Sequence, residues 1–476
     1  MPIPYAITHT YGENGNGATV QLRFNWLTDA PAQTHIRYET QAAVEANGGT
    51  FSAHSPRAEA AYTRVENNTP LVNDEIRAHI NLAPLHSHKA TLTLAAGQSY
   101  YYSVGNAGNY SLPALIHTRE EKPGAFSFLW ITDPQQDKYA RGTPYVPWDG
   151  KISTVGSGNF QENLEIAIAH AFAPAQAALY ANGRPAFALC TGDHCEHIYD
   201  KDGMDGFFQA AQTLLAATPY FPALGNHDVM GAPGHTGTWD SPDPYATLYK
   251  ARFNPPRNNT PHPVLDGTNY FFTYGNALFM ALQGNPWHTA DFALDRQIDW
   301  MRQTISTHGK NRWKIIFLHH GIYTVSYDSI HGYEQLSAFY DEAGIDLVLS
   351  GHNHVYARSK PIRNFQPAPR GKGTVHITGG TVSGNCAWGG YIYKPHRTIP
   401  NENGLPMTQA MDFLSLTDQV DEMNKNIYQI ITIDENGINI TALRAHDNTI
   451  VQHNAPQPGD VAAEYKTPLT GTQPQS

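Results

Sequence analysis

Short runs of alternating apolar and polar residues open the chain. Between residues 3 and 118 they include TVQLRFNWLT, THIRYET, ATLTL and SYYYSVG, and turns rich in Gly, Asn and Pro separate them. A period of two places every second side chain on the same face of a strand, which is typical of half-buried antiparallel strands. The pattern predicts an N-terminal antiparallel β-sandwich over residues 1–121, ending at the Pro- and Gly-containing segment EEKPGAF.

A different pattern of apolar and polar residues begins at residue 122. Apolar strands alternate with helical stretches such as ENLEIAIAHAFAPAQAALY and LDRQIDWMRQTIS, and the strands read FSFLWIT, AFALCTG, YFPALGN, ALFMALQ, KIIFLHH, IDLVLSG and GTVHITGG. This alternation predicts a layered α/β domain over residues 122–453, so the whole chain is expected to be a multi-domain α+β protein. Ligands of such sheets bind at the carboxyl ends of the strands.

The C-terminal part of the chain is less regular. Residues 387–425 form a polar insertion, and residues 426–453 contain two strands, YQIITID and GINITALRA, around a turn from Asp434 to Gly437. Residues 454–476 are rich in Pro, Gln, Thr and Gly, which predicts a disordered tail.

Charge and composition exclude several classes of protein. The formal net charge is -11, so no nucleic-acid binding by counterion release is expected. The three cysteines are too few for a disulfide framework. No apolar stretch is long enough to span a bilayer, and the start of the chain does not resemble a signal peptide. We expect a soluble protein, cytoplasmic as given or periplasmic or secreted if a leader was removed; the oligomeric state stays open.

Potential metal ligands follow the predicted strands of the second domain. They are Asp133 in ITDPQ, Asp193 in CTGDHCEH, Asn226 and His227 in LGNHD, His319 and His320 in FLHHG, and His352 and His354 in LSGHNH. One Asp or His after a strand is usually a turn or cap residue, but a succession of them at one sheet edge is not explained in that way. Mixed carboxylate, amide and imidazole ligands suit Zn, Mn or Fe, and two such ions can clamp both oxygens of an in-line displacement.

The order D, GD, GNHD, H, GHNH resembles the calcineurin-like metallophosphoesterase family, and the layout is most similar to its purple acid phosphatase branch. The resemblance covers most of residues 5–385 and implies a fibronectin-like N-terminal sandwich followed by a four-layer α/β/β/α domain. It implies that Asp133 and His354 hold the first ion and that Asp193 bridges both ions. The second ion would be held by Asn226, His319 and His352, and the family spacing from Trp313 to Tyr323 selects His319 over His320.

The resemblance also implies catalytic roles for two histidines. His227 is similar to a histidine that contacts the phosphate and protonates the leaving oxygen. His331, in SIHGYE, is similar to a substrate-facing histidine of bacterial relatives, with a loop histidine as the alternative.

This sequence departs from the family pattern near the first ion. Gln135 stands where the family has His or Gly, and its amide oxygen binds either the first ion or only a water on that ion. The tyrosine of the purple enzymes is replaced by Glu196, and Tyr199 lies three residues too far along. A preference for iron(III) is therefore not implied, and the two divalent ions are expected to be Fe, Zn or Mn.

The implied activity is hydrolysis of phosphate monoesters, with a metal-bound hydroxide as nucleophile and a small phosphoester as substrate. One alternative is a phosphodiesterase that acts on a nucleotide or a lipid headgroup. The other is a non-catalytic binding protein that retains the fold.

Overall fold

The structure is a computed structural model. It describes residues 2–12, 17–68, 80–136, 144–145, 153–154, 160–229, 246–258, 262–284, 294–310, 312–323, 333–369, 371–384, 417–420 and 426–451. His331, Cys386, most of the predicted insertion and the predicted tail lie outside the described residues.

Two antiparallel sheets form the N-terminal part of the chain. Their strands are β1 (Pro4–Tyr11), β2 (Thr19–Thr28), β3 (His35–Thr40), β4 (Arg57–Glu59), β5 (Ala61–Val65), β6 (Leu85–Ala95), β7 (Ser99–Asn106), β8 (Asn109–Tyr110) and β9 (Ala114–His117). One sheet has the order β1-β2-β6-β5, and the other has the order β4-β3-β7-β8 with β9 also paired to β7. Burial alternates along the first half of β2 and the second half of β6, as the period-two pattern predicts, while the other half of each strand is buried on both faces.

A five-stranded sheet starts the second part of the chain. Its strands are β10 (Phe126–Ile131), β13 (Ala188–Cys190), β14 (Tyr220–Pro222), β24 (Ile427–Ile433) and β25 (Ile438–Arg444), in the order β14-β13-β10-β24-β25. The β10, β13 and β14 strands are parallel, so their carboxyl ends meet at one edge. A separate two-stranded ribbon contains β11 (Pro144–Tyr145) and β12 (Ser153–Thr154).

A seven-stranded sheet supplies the other half of the layered domain. Its strands are β15 (Tyr270–Tyr274), β16 (Ala277–Ala281), β17 (Trp313–Phe317), β18 (Leu347–Ser350), β19 (Tyr356–Ser359), β22 (Val375–Gly379) and β23 (Thr417–Val420), in the order β15-β16-β17-β18-β22-β19-β23. The β16, β17, β18 and β22 strands are parallel. A small hairpin joins β20 (Ile362–Arg363) and β21 (Gln366–Pro367).

The helices are α1 (Gln41–Ala46), α2 (Phe160–Ala171), α3 (Lys201–Ala210), α4 (Gln212–Ala217), α5 (Thr247–Arg252), α6 (Leu294–His308) and α7 (Tyr333–Ala343). The sequence predicts one helical stretch from Glu162 to Tyr180, but α2 ends at Ala171 and a 3-10 helix follows over Pro174–Leu179. Pro174 explains the break because it has no backbone N–H for a continuing helix. No helix among the described residues is long and apolar enough to cross a membrane.

The mixed α+β class and the apolar strands of the second region are confirmed. The predicted boundary after residue 121 falls between β9 and β10. The fibronectin-like character of the first region, the four-layer arrangement and the domain limits stay predictions.

Candidate metal centre

The predicted ligands converge where strands of the two large sheets end. Asp133 follows β10, Asp193 follows β13, and His319 follows β17. The carboxylate and imidazole donor atoms of these three residues all lie within 4.8 Å of one another, and those of His319, His320 and His352 do the same. Asp133, Asp193 and His319 are at least 60 residues apart in sequence, and the fold collects them into one buried cluster.

Asp133 and His354 form one side of this cluster. The His354 Nε2 lies 3.3 Å from Asp133 Oδ1, and both side chains are almost fully buried. The backbone N–H of His352 donates to both Asp133 oxygens at 3.0 Å, and the Thr132 hydroxyl donates to Oδ2 at 2.5 Å. These donors fix the orientation of the carboxylate.

Gln135 lies beside this group. Its backbone N–H donates to the Asp193 carbonyl at 2.8 Å, which ties it to the loop of the predicted bridging ligand. Its Oε1 is buried and has no hydrogen-bond partner among the residues that the structure describes. A buried amide oxygen normally accepts a hydrogen bond or binds a cation, so the Gln135 Oε1 is a candidate cation ligand.

Asn226 is the centre of the other side. Its Oδ1 lies 2.9 Å from His319 Nε2 and 3.1 Å from His352 Nδ1. The His319 Nε2 is also 3.0 Å from Asp193 Oδ2. The Nδ1–H of His319 donates to the Thr191 carbonyl at 2.8 Å, which leaves Nε2 as the atom that faces the cluster.

The buried charges of the cluster depend on one another. Burial raises the pKa of the Asp193 carboxyl, but His319 and His227 outweigh burial and hold this pKa well below its usual range. Burial lowers the pKa of His319, but the nearby Asp193 carboxylate outweighs burial and raises this pKa to about 9. A cation that binds here must displace the proton of His319, so metal binding releases protons.

His227 lies at the edge of the cluster, with a side chain that is 14% exposed. Its Nδ1–H donates to the Glu196 carbonyl at 2.7 Å, and its Nε2 is 4.0 Å from Asp193 Oδ2. Burial lowers the pKa of His227, but the Asp193 and Glu196 carboxylates outweigh burial and raise it. The His227 Nε2 therefore points towards the Asp193 carboxylate.

Two residues near the site were not assigned a role from the sequence. His320, rejected in favour of His319, lies with its ring centroid 4.1 Å from that of His352. Asp228 accepts hydrogen bonds from the backbone N–H groups of Asp193, His194 and Gly225. The only sequence signal for Asp228 is its position directly after Asn226 and His227.

The cluster offers donor atoms that suit divalent cations. The donor set mixes carboxylate and amide oxygens with imidazole nitrogens, which suits Zn, Mn or Fe better than a soft metal. Within the described residues, the Gln135 Oε1 has no hydrogen-bond partner, and the donor atoms within 4.8 Å of one another could hold a metal ion. His331 cannot be placed because it lies outside the described residues.

Part of the chain is similar to known phosphoesterases. Residues 126–356 match the family model of the calcineurin-like phosphoesterases. Acid phosphatase type 7 of Homo sapiens is 26% identical over 230 residues, which are 41% of this chain and 47% of that protein. Purple acid phosphatase 18 of Arabidopsis thaliana is 24% identical over 196 residues, which are 40% of this chain and 42% of that protein. The matches thus span about half of these relatives or less.

Solved structures show a similar fold over a longer part of the chain. The purple acid phosphatase PPD1 from yellow lupin (Lupinus luteus) seeds has a TM-score of 0.65 and 14% identity, covering 94% of this chain and 73% of that chain. The structure of PhoD has a TM-score of 0.55 and 12% identity, covering 96% of this chain and 94% of that chain. At these identities the likeness shows the fold alone.

Proposed function

From the premise that residues 126–356 are a calcineurin-like phosphoesterase domain, we propose that the protein hydrolyses phosphate monoesters at a centre of two divalent metal ions. The observation that carries this proposal is the convergence of Asp133, Asp193 and His319 donor atoms within 4.8 Å. The small phosphoester substrate would bind at the carboxyl ends of the strands, where these ligands lie.

Each side of the cluster would hold one ion. Asp133, His354 and Gln135 would hold the first, and Asn226, His319 and His352 the second. Asp193 would bridge the two, since its Oδ2 faces His319 while its backbone is tied to Gln135. When bound, the two cations supply a water nucleophile near neutral pH and neutralise the phosphoryl oxygens.

His227 is the proposed proton donor to the leaving oxygen. Because the Glu196 carbonyl accepts the Nδ1–H of His227, Nε2 is the nitrogen that gives up its proton. The neutral imidazole that results keeps its Nδ1–H and its orientation. His331 is proposed to assist His227 at the substrate.

The direct test is the Asp193→Ala variant. We expect it to lose hydrolysis of para-nitrophenyl phosphate and most of its bound metal, because the bridging carboxylate is removed. Asp299→Asn is the control, since the Asp299 side chain is 72% exposed and pairs with the surface residue Arg302. An Asp193→Ala protein that keeps both activity and metal would overturn the assignment.

The ester class needs a separate comparison. Rates on para-nitrophenyl phosphate and on bis-para-nitrophenyl phosphate should favour the monoester. A higher rate on the diester would move the function to the phosphodiesterase alternative. A purified protein that binds metal and hydrolyses neither ester would support a binding role.

A further inference from the structure

Two loops that carry the proposed metal ligands Asp193 and Asn226 contact each other through their backbones. One contains Gly192, Asp193 and His194 after β13, and the other contains Gly225 to Asp228 after β14. A Cβ on Gly192 would lie 2.7 Å from the backbone of Gly225, and a Cβ on Gly225 would lie 2.1 Å from Asp193 Oδ1. The relative position of Asp193 and Asn226 therefore depends on this contact.

The buried carboxylate of Asp228 joins the two loops. Its Oδ2 accepts the N–H of Asp193 at 3.0 Å and the N–H of Gly225 at 2.8 Å. Its Oδ1 accepts the N–H of His194 at 3.1 Å. Asp193 has a φ of 54°, a left-handed conformation that persists in a non-glycine residue only when its surroundings fix it. The Asp228 carboxylate supplies part of that constraint.

The His194 side chain completes this arrangement. Its Nδ1 lies 3.0 and 3.1 Å from the two Asp228 oxygens, and neither side chain is exposed. Aromatic rings enclose the imidazole, with centroid distances from 4.9 to 6.0 Å; they belong to Phe253, Phe207, Tyr220 and Tyr249. The ring is thus held against Asp228, and Asp228 is held between the two loops.

Resting on the proposed metal centre, we propose that His194 and Asp228 are positioning residues that fix the bridging ligand Asp193 relative to Asn226. Neither is assigned to the metals themselves. Because the outer partners of metal ligands strongly influence affinity, losing this pair should weaken metal binding more than it weakens the fold.

Asp228→Asn tests the carboxylate. It keeps the size of the side chain but replaces one of the two acceptor oxygens by an N–H₂ group. Depending on the orientation of the amide, either the N–H groups of Asp193 and Gly225 or the N–H of His194 lose their acceptor. Titration of the metal-free protein with Mn²⁺ should show an affinity lower by about 10-fold to 100-fold. Asp299→Asn again serves as the control and should match the wild type.

Two substitutions at His194 test its part and remain informative if Asp228→Asn does not fold. His194→Leu removes the donor to Asp228 within an apolar environment, and His194→Asn restores an N–H near the position of Nδ1. Mn²⁺ affinity should fall in the leucine variant and recover in the asparagine variant. If the substitutions only destabilised the fold, both variants would unfold at a lower temperature, and their Mn²⁺ affinities would not differ from each other.

Amide hydrogen exchange in the metal-free protein separates this inference from the proposed function. Exchange over 192–194 and 225–228 should be faster in Asp228→Asn and His194→Leu than in the wild type. Wild-type exchange rates in these loops, together with Mn²⁺ affinities within about twofold of the wild type, would overturn the positioning role. A wild-type protein that binds no metal would instead contradict the proposed function. The exchange rates would still show whether Asp228 and His194 fix the two loops.

Discussion

Left-handed backbone occurs at five residues of the proposed metal centre. Positive φ angles between 40° and 71° occur at Asp133, Gln135, Asp193, His352 and His354. Such conformations are unfavourable for residues with a side chain and cluster at functional sites. Gln135 shares this geometry with its neighbours, which supports its inclusion in the site although its residue type departs from the family pattern.

Exchange of Gln135 for histidine tests its role at the first ion. Imidazole is a stronger ligand than an amide oxygen, so Gln135→His should tighten binding of the first ion by about tenfold. Calorimetric titration of the metal-free protein with Zn²⁺ measures this change. A titration curve that does not differ from that of the wild type would place Gln135 beyond reach of the ion.

His376 predicts a pH dependence of stability away from the metal centre. Burial beside Tyr323 lowers the pKa of His376 to about 3, so the folded protein keeps this imidazole neutral, whereas the unfolded chain binds a proton near pH 6.5. His376 does not reduce the free energy of unfolding above about pH 6.5, where its imidazole is neutral in both the folded and the unfolded protein. As the pH falls towards 3, the free energy of unfolding falls by up to about 1.4 kcal/mol per pH unit.

His376→Phe should therefore reduce the slope of unfolding free energy against pH between about 4 and 6. Urea denaturation at several pH values measures the slope. His446→Asn, at an exposed position, is the control and should keep the wild-type slope. An unchanged slope in His376→Phe would show that another group controls the acid sensitivity.

Strands and their ends were the elements most readily predicted from sequence. The runs FSFLWIT and KIIFLHH became β10 and β17 because continuous apolar residues suit strands buried on both faces. The short helix α1 was not predicted, since QAAVEA is too short for a helical period to be seen. The hydrogen bonds of Asp228 were also missed, because they join loops that only the folded sheet brings together.

The contact between the two glycine-containing loops gives a prediction at the scale of elements. Gly225→Ala would place a Cβ 2.3 Å from the backbone nitrogen of Asp193, which cannot move without displacing the ligand loop. We expect loss of bound metal and of phosphatase activity, measured on protein whose circular dichroism shows a retained fold. Gly124→Ala is the matched control, because its Cβ would meet nothing within 4 Å. Equal metal content in the two variants would contradict the predicted close approach.

At the scale of the whole molecule, buried and partly buried polar contacts join the N-terminal sheets to the region that matches the calcineurin-like phosphoesterase model. The Lys89 ammonium donates to the carbonyls of Lys250 and Phe253 at 2.6 and 2.9 Å, at the C-terminal end of α5. Asn25 donates to the Arg252 carbonyl and Ser87 to the Ala251 carbonyl. Burial lowers the pKa of Lys89 to about 7. These contacts join residues more than 150 positions apart, so sequence patterns could not predict them.

The metal content of the purified wild-type protein tests the central claim most directly. After removal of metal by a chelator and reloading with Zn²⁺ or Mn²⁺, mass spectrometry of the metals should give two ions per chain, and hydrolysis of para-nitrophenyl phosphate should return with the second ion. Full activity with one ion, or no bound ion after reloading, would contradict a two-ion centre built from Asp133, Asp193, Asn226, His319, His352 and His354.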